Sequence, residues 1–135
     1  MAGHIDPSRE NWQAFKDLPR DTPIQMLNLI KFRDVALYPE GHPNHGKGLT
    51  GREAYAIYKE GFQRVVATDG AAMVWEAPME CTVTGPADEW DEAFVMGYPG
   101  SGLFMAMVKN EEYIRDVVPH RTAALADSRL IRFRG

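Results

Sequence analysis

Apolar and polar positions alternate along the chain with periods that change from segment to segment. Near the N-terminus Trp12 and Phe15 lie three apart, and Leu18 extends their face before Pro19 and Pro23. With Asp6 as a cap and Pro7 in the first turn, this spacing predicts a short helix that packs onto a core formed later in the chain. The stretch PIQMLNLIKFR, residues 23–33, is dense in apolar groups between turn signals and reads as a strand. Strand geometry sends Met26, Asn28, Ile30 and Phe32 to one face and Gln25, Leu27, Leu29 and Lys31 to the other. Apolar groups on both faces describe a central strand with material on each side.

Residues 34–49 hold two prolines and three glycines and form a loop longer than most connections in a compact domain. Thr50 and Glu53 then have capping-box spacing, and Ala54, Tyr55, Tyr58, Phe62, Val65 and Val66 make one helical stripe that Asp69-Gly70 ends. Two strands follow, over 71–85 and 92–98, with the GPADEWD turn between them and Pro78 marking an edge position or a bulge in the middle of the first. From Leu103 to Asp127 the pattern is helical in two or three pieces. Asn110 caps the second piece, Tyr113, Ile114, Val117 and Val118 share a face, and Pro119 enforces a kink or restart. RLIRF, residues 129–133, closes the chain as a strand.

The element order, a helix and then β-α-β-β-α-β, is the split βαβ or ferredoxin-like arrangement of the α+β class. It predicts one domain over 1–135, with 1–22 as an N-terminal helical extension and one antiparallel sheet carrying its helices on a single face. The second sheet face needs a cover, and the same sheet of another subunit is the simplest one.

Composition narrows the function classes. Fifteen basic and nineteen acidic side chains leave a net charge of −4, which argues against a dedicated nucleic-acid binder. No apolar run approaches the roughly 20 residues of a membrane-spanning helix. One cysteine, Cys81, in what reads as an apolar strand, and an N-terminus without a signal layout point to a reducing cytoplasmic setting.

Several residues are candidates for chemistry. Asn28, an amide among Met26, Ile30 and Phe32, either pairs with backbone or orients a ligand carbonyl or oxyanion. His120 is a candidate catalytic base or proton shuttle if helix runs through Pro119; otherwise it fills a structural place. Arg121 beside it either clamps a carboxylate or pairs with Glu111, Glu112 or an acid across the dimer. Tyr55, Tyr58, Trp75, Tyr98 and Tyr113 are either core aromatics or the lining of a small-molecule pocket. His42 and His45 lack the partners of a metal site, Cys81 has no histidine close in sequence, and GYPGSG lacks the lysine of a phosphate-binding loop. Neither a metal nor a cofactor is expected.

The segments MLNLIKFRD (26–34), GREAYAIY (51–58), WDEAFVMGYP (90–99) and NEEYIRDVVPHRTAALADSRLI (110–131) resemble an uncharacterised domain-of-unknown-function family of the dimeric α+β barrel superfamily. The family pattern of a Trp-Asp strand start, a Glu-Tyr pair and a later arginine corresponds to Trp90-Asp91, Glu112-Tyr113 and Arg121. The resemblance implies two sheets packed face to face in a homodimer, with a small cavity in each subunit between sheet and helices. It implies a small organic ligand and, if the protein is an enzyme, cofactor-independent oxygenation or isomerisation of a small carbonyl or phenolic compound. Asn28, Tyr58, Trp75, Tyr98, Tyr113 and Arg121 would then line the pocket, with His120 as proton acceptor. The alternative is a structural or interaction dimer without turnover.

Overall fold

The computed structural model describes residues 3–66 and 70–135; Asp69 and the Val66 side chain lie outside the described residues. The elements are α1 (Arg9–Asp17), β1 (Ile24–Phe32), α2 (Gly51–Val66), β2 (Ala72–Pro78), β3 (Glu92–Tyr98), α3 (Ser101–Val108), a wide π-helical turn over Tyr113–Val117 that leads into α4 (Val118–Ala124), and β4 (Leu125–Arg134). The strands pair as β2-β3-β1-β4, every neighbour antiparallel. This is the ferredoxin-like α+β topology with one added N-terminal helix, and its four strands form an open sheet.

Local chemistry explains the boundaries. Ser8, not Asp6, caps α1, its hydroxyl accepting the Asn11 N–H at 3.1 Å. The capping box at α2 is reciprocal: Thr50 N–H donates to Glu53 Oε1 at 2.9 Å and Glu53 N–H to Thr50 Oγ1 at 3.0 Å. Asn110 accepts the Tyr113 N–H through its side chain at 2.9 Å. Pro119 has no N–H and crowds the preceding turn, and the helix answers by widening: the Val118 N–H reaches back to Tyr113 O.

Three expectations are corrected. The strand read over 71–85 ends at Pro78, with one further bond from Met79 N–H to Asp91 O at 2.9 Å, so Cys81 stands exposed beyond it rather than within a strand. The β2–β3 connection therefore runs over 79–91, longer than the turn expected, with Asp88 at φ 58°. The closing strand starts earlier than residue 129, at Leu125, directly after α4.

Register sorts the side chains. Ile24, Met26, Asn28 and Ile30 face the helices together with Tyr98, Met96 and Phe94 of β3. The larger core cluster joins Ile30, Phe32, Tyr38, Tyr55, Tyr58, Phe94, Tyr113, Val117 and Leu125; a smaller one joins Ile24, Met26, Tyr98 and Phe104, and Met96 and Met107 touch both. α1 covers the smaller cluster through Phe15, whose ring meets Phe104 edge-on at 5.4 Å between centroids. Arg132 holds α1 there, its guanidinium 5.2 Å from the Phe15 ring centre and donating to Pro19 O at 2.7 Å.

The opposite sheet face carries Leu27 and Leu29 of β1, Val95 of β3, Trp75 of β2, and Ile131 and Phe133 of β4. Trp75, Ile131 and Phe133 are 47%, 40% and 50% exposed on that face, which no element among the described residues covers. Among the described residues no helix is long and apolar enough to cross a membrane.

Asp91 anchors the end of β1, where the register shifts between Lys31 and Phe32. Its Oδ2 accepts the Phe32 N–H at 2.8 Å and its N–H donates to Ile30 O at 2.7 Å. Asp91→Ala leaves the Phe32 N–H without its acceptor, an expected loss of about 1–3 kcal/mol in urea unfolding. Thr50→Ala, at an exposed cap, is expected to lose about 1 kcal/mol. A smaller loss for Asp91→Ala than for Thr50→Ala would refute the anchoring role.

Candidate functional site

The 34–49 loop folds back so that Tyr38 enters the core beside α4. Its hydroxyl meets His120 Nδ1 at 2.6 Å, and its ring stacks on His42 at 4.5 Å between centroids. His42 and His120 approach edge-on at 5.4 Å. Burial raises the Tyr38 pKa above its ordinary value against a hydrogen bond from the Asn44 side chain. Tyr38 therefore keeps its proton at neutral pH, and the tautomer of the neutral His120 imidazole sets which of the two groups donates in this bond. Burial, with a smaller contribution from His42, lowers the His120 pKa and holds the ring neutral.

The adjacent residue on α4 points elsewhere. Arg121 donates through Nη1 to Ile5 O at 2.7 Å, with Nη2 3.5 Å from Ser128 Oγ. Both acceptors are neutral, and among the described residues no carboxylate forms an ion pair with this guanidinium. The alternative pairing with Glu111 or Glu112 is not formed; both acids are exposed.

Buried phenols lie within reach of its charge. Tyr58 and Tyr113 share a hydrogen bond of 2.9 Å between hydroxyls. Two hydroxyl groups with one hydrogen bond between them leave one O–H proton with no acceptor among the described residues. Burial raises the pKa of Tyr55, Tyr58 and Tyr113, and Arg121 pulls each partly back. The phenols are thus neutral donors and not nucleophiles.

The other expected pocket residues separate. Asn28 faces the helices but gives its amide N–H to Met26 O at 3.2 Å. Ser128 pairs with Ile30 and Leu130 with Asn28, so Asn28 stands one two-residue step, about 7 Å, along the strand from the Ser128 position. Tyr98 lies in the smaller cluster, its hydroxyl 3.9 Å from Met107 Sδ. Trp75 is on the opposite sheet face, where it cannot meet Tyr58 or Tyr113 of its own subunit, because a strand shows alternate residues to opposite sides. The structure brings together Tyr58, Tyr113 and Arg121, with His120 beside them on α4 facing the loop.

Sequence reasoning missed two features. His42 reaches His120 across a sequence separation that no local spacing encodes; among the described residues neither joins a group of three or more metal-ligating side chains. A cleft of about 110 Å³ is lined by Phe32, Arg52, Tyr55, Ala56, Lys59 and Glu92. Residues 52, 55, 56 and 59 lie on one helical face, a spacing that could have revealed it. Its charges are largely matched internally: Lys59 Nζ lies 3.2 Å from Glu76 Oε2 and 2.9 Å from Glu92 Oε1, the latter off the axis of a hydrogen bond, and Arg52 packs 4.7 Å over the Phe32 ring.

The whole chain aligns with 96% of the methylated RPA0582 protein at 41% identity and a TM-score of 0.88. A second structure of RPA0582, a protein of unknown function from Rhodopseudomonas palustris, aligns over 98% of this chain and 97% of that one at 40% identity and a TM-score of 0.82. A dabb family protein with a ferredoxin-like fold from Mesorhizobium loti aligns over 84% of this chain and 97% of that one at 9% identity and a TM-score of 0.49. No family model and no curated protein matches the sequence.

The depressed His120 pKa makes stability depend on pH. The unfolded chain takes up the imidazole proton first as pH falls below about 6.5, so the folded state loses ground through that window and is unaffected above it. His120→Asn keeps an acceptor for Tyr38 and removes the titration. The stability advantage of the wild type over this variant should shrink as pH falls from 7.5 to 5 in chemical unfolding; an advantage constant with pH would contradict the burial-driven shift.

Proposed function

The chain belongs to the uncharacterised family of the Rhodopseudomonas palustris RPA0582 protein, and from that premise we propose that it is a homodimer that binds a small organic molecule in each subunit. The open apolar sheet face supports the dimer. A stable interface needs about 800 Å² from each partner, and a self-complementary face of Leu27, Leu29, Trp75, Val95, Ile131 and Phe133 is the surface suited to supply it. A reducing cytoplasmic setting belongs to the same proposal and is supported by the single cysteine.

The observation that carries ligand binding is, among the described residues, a guanidinium without a carboxylate partner within electrostatic reach of a buried phenolic O–H without an acceptor. Both groups call for the same complement, an electron-rich oxygen. The set suits a small carbonyl or phenolic compound: Arg121 and the Tyr58–Tyr113 pair hold its oxygens, and Asn28 retains its amide oxygen and one amide N–H for a further contact. His120 keeps the expected proton-acceptor role at Nε2 when Nδ1 carries its proton, and Arg121 and the Tyr58–Tyr113 pair are then the donors. Donors of this kind stabilise a developing oxyanion or enolate without a cofactor, which fits isomerisation, or oxygenation with dioxygen as co-substrate. Trp75 takes part in the dimer face instead of the pocket.

A second reading, a structural dimer without turnover, is favoured by the internal bonding of Asn28 and of the two tyrosines. The two differ in what substitutions do. Under the binding reading, native mass spectrometry of fresh protein shows a dimer with added small-molecule mass, and Tyr113→Phe or Arg121→Lys loses that mass while the dimer persists. Under the structural reading the dimer is clean, and Asn28→Ala and Arg121→Ala only lower stability. Ile131→Glu, at a site already exposed in one subunit, is expected to leave the fold intact by circular dichroism and give the single-chain mass by light scattering. A strictly monomeric wild type would end the homodimer proposal.

A further inference from the structure

The segment before α1 lies across β4 as a strap. His4 N–H donates to Asp127 Oδ1 at 2.8 Å, Ser128 Oγ donates to His4 O at 2.6 Å, and Arg121 Nη1 donates to Ile5 O at 2.7 Å. At Gly3 the backbones come so close that a Cβ would strike Ala126 O. The Ile5 side chain is partly buried and packs against the larger core cluster.

Ile5 thus presents a branched aliphatic body to the core and a carbonyl oxygen to Arg121. A carbonyl carries only part of the charge that a guanidinium can pair with, and the second arm of the fork is 3.5 Å from a serine hydroxyl. A carboxylate would engage both terminal nitrogens in parallel, with shorter and roughly doubly strong hydrogen bonds. The strap fills the place of an acid of its own shape.

We propose that the site beneath the strap takes a small monocarboxylate with a branched aliphatic or aromatic body, its carboxylate on Arg121 and its body in the space of the Ile5 side chain, and that the strap competes with it. This deepens the small-molecule reading above and rests on it. Displacement exchanges one neutral acceptor for a charged one at Arg121, while Asp127 and Ser128 keep their hold on His4 until the ligand arrives. No covalent step is involved.

The test is isothermal titration of the full-length protein at pH 7 with 3-methylpentanoate and, separately, with its neutral amide. The acid is expected to bind at least tenfold more tightly than the amide. Arg121→Gln should weaken the acid at least tenfold and leave the amide unchanged, and Arg121→Lys, which keeps the charge without the fork, should fall between. Ile5→Gly removes the packing that holds the strap and should tighten the acid at least threefold. Equal binding of acid and amide, or acid binding untouched by Arg121→Gln in a variant folded by circular dichroism, overturns the carboxylate assignment. Weaker binding in Ile5→Gly overturns competition, because the strap would then be a wall of the site. Absence of binding in the wild type and in Ile5→Gly also overturns the proposal, whereas co-purified small-molecule mass in the native spectrum would still uphold the broader reading.

Discussion

Three backbone segments meet where β1 ends, α2 begins and α4 ends. Arg33 N–H donates to Ala124 O at 2.8 Å, Gly51 N–H donates to Arg33 O at 3.0 Å, and Leu37 N–H donates to Ala123 O at 2.9 Å. Main chain can approach main chain this closely only where side chains are small. Gly51, Ala54, Ala123 and Ala124 are all buried here, and a Cβ on Gly51 would strike Arg33 O. The remaining geometry depends on this junction. It sets the height of α4 over the sheet, returns the long loop so that Tyr38 meets His120, and sends the chain from Ala124 straight into β4.

Because α4 is short and pinned at its end, its consecutive side chains serve different neighbourhoods. His120 turns to the loop, where burial and the neighbouring His42 hold it neutral; Arg121 turns to the N-terminal strap and the buried phenols. A positive charge among neutral donors leaves the layer between helices and sheet short of acceptors. The strap carbonyl relieves that shortage in part, and an anionic or strongly polar oxygen would relieve it more fully. On the other side of the sheet the imbalance is of another kind, apolar surface without cover. The two faces therefore differ in what they leave unmatched, polar groups on one and apolar surface on the other.

Much of the fold was readable in the order of periods along the chain. The apolar stripe of α2, its Thr50–Glu53 capping box and the two-sided pattern of β1 depend on residues within one or two turns of each other, and local rules decide them. Two of the positions that carried the family resemblance have structural roles: Asp91 holds the shifted end of β1 from 59 residues away, and Tyr113 begins the wide turn before Pro119. Pro78 ended a strand that composition would have continued, and so Cys81 left the sheet.

The sequence by itself determined the element order, the antiparallel ferredoxin-like class and the presence of a sheet face in need of a partner, because hydrophobic period and capping act over a few residues. Only the tertiary structure decided which polar groups meet. Tyr38 and His42 reach His120, and Ile5 reaches Arg121, across separations of 82, 78 and 116 residues, where the junction, the register of β4 and the packing of the strap set the distances. It also placed Trp75 on the far side of the sheet from Tyr58 and Tyr113, since the face a strand residue takes follows from register with its neighbours, and register is a property of the assembled sheet.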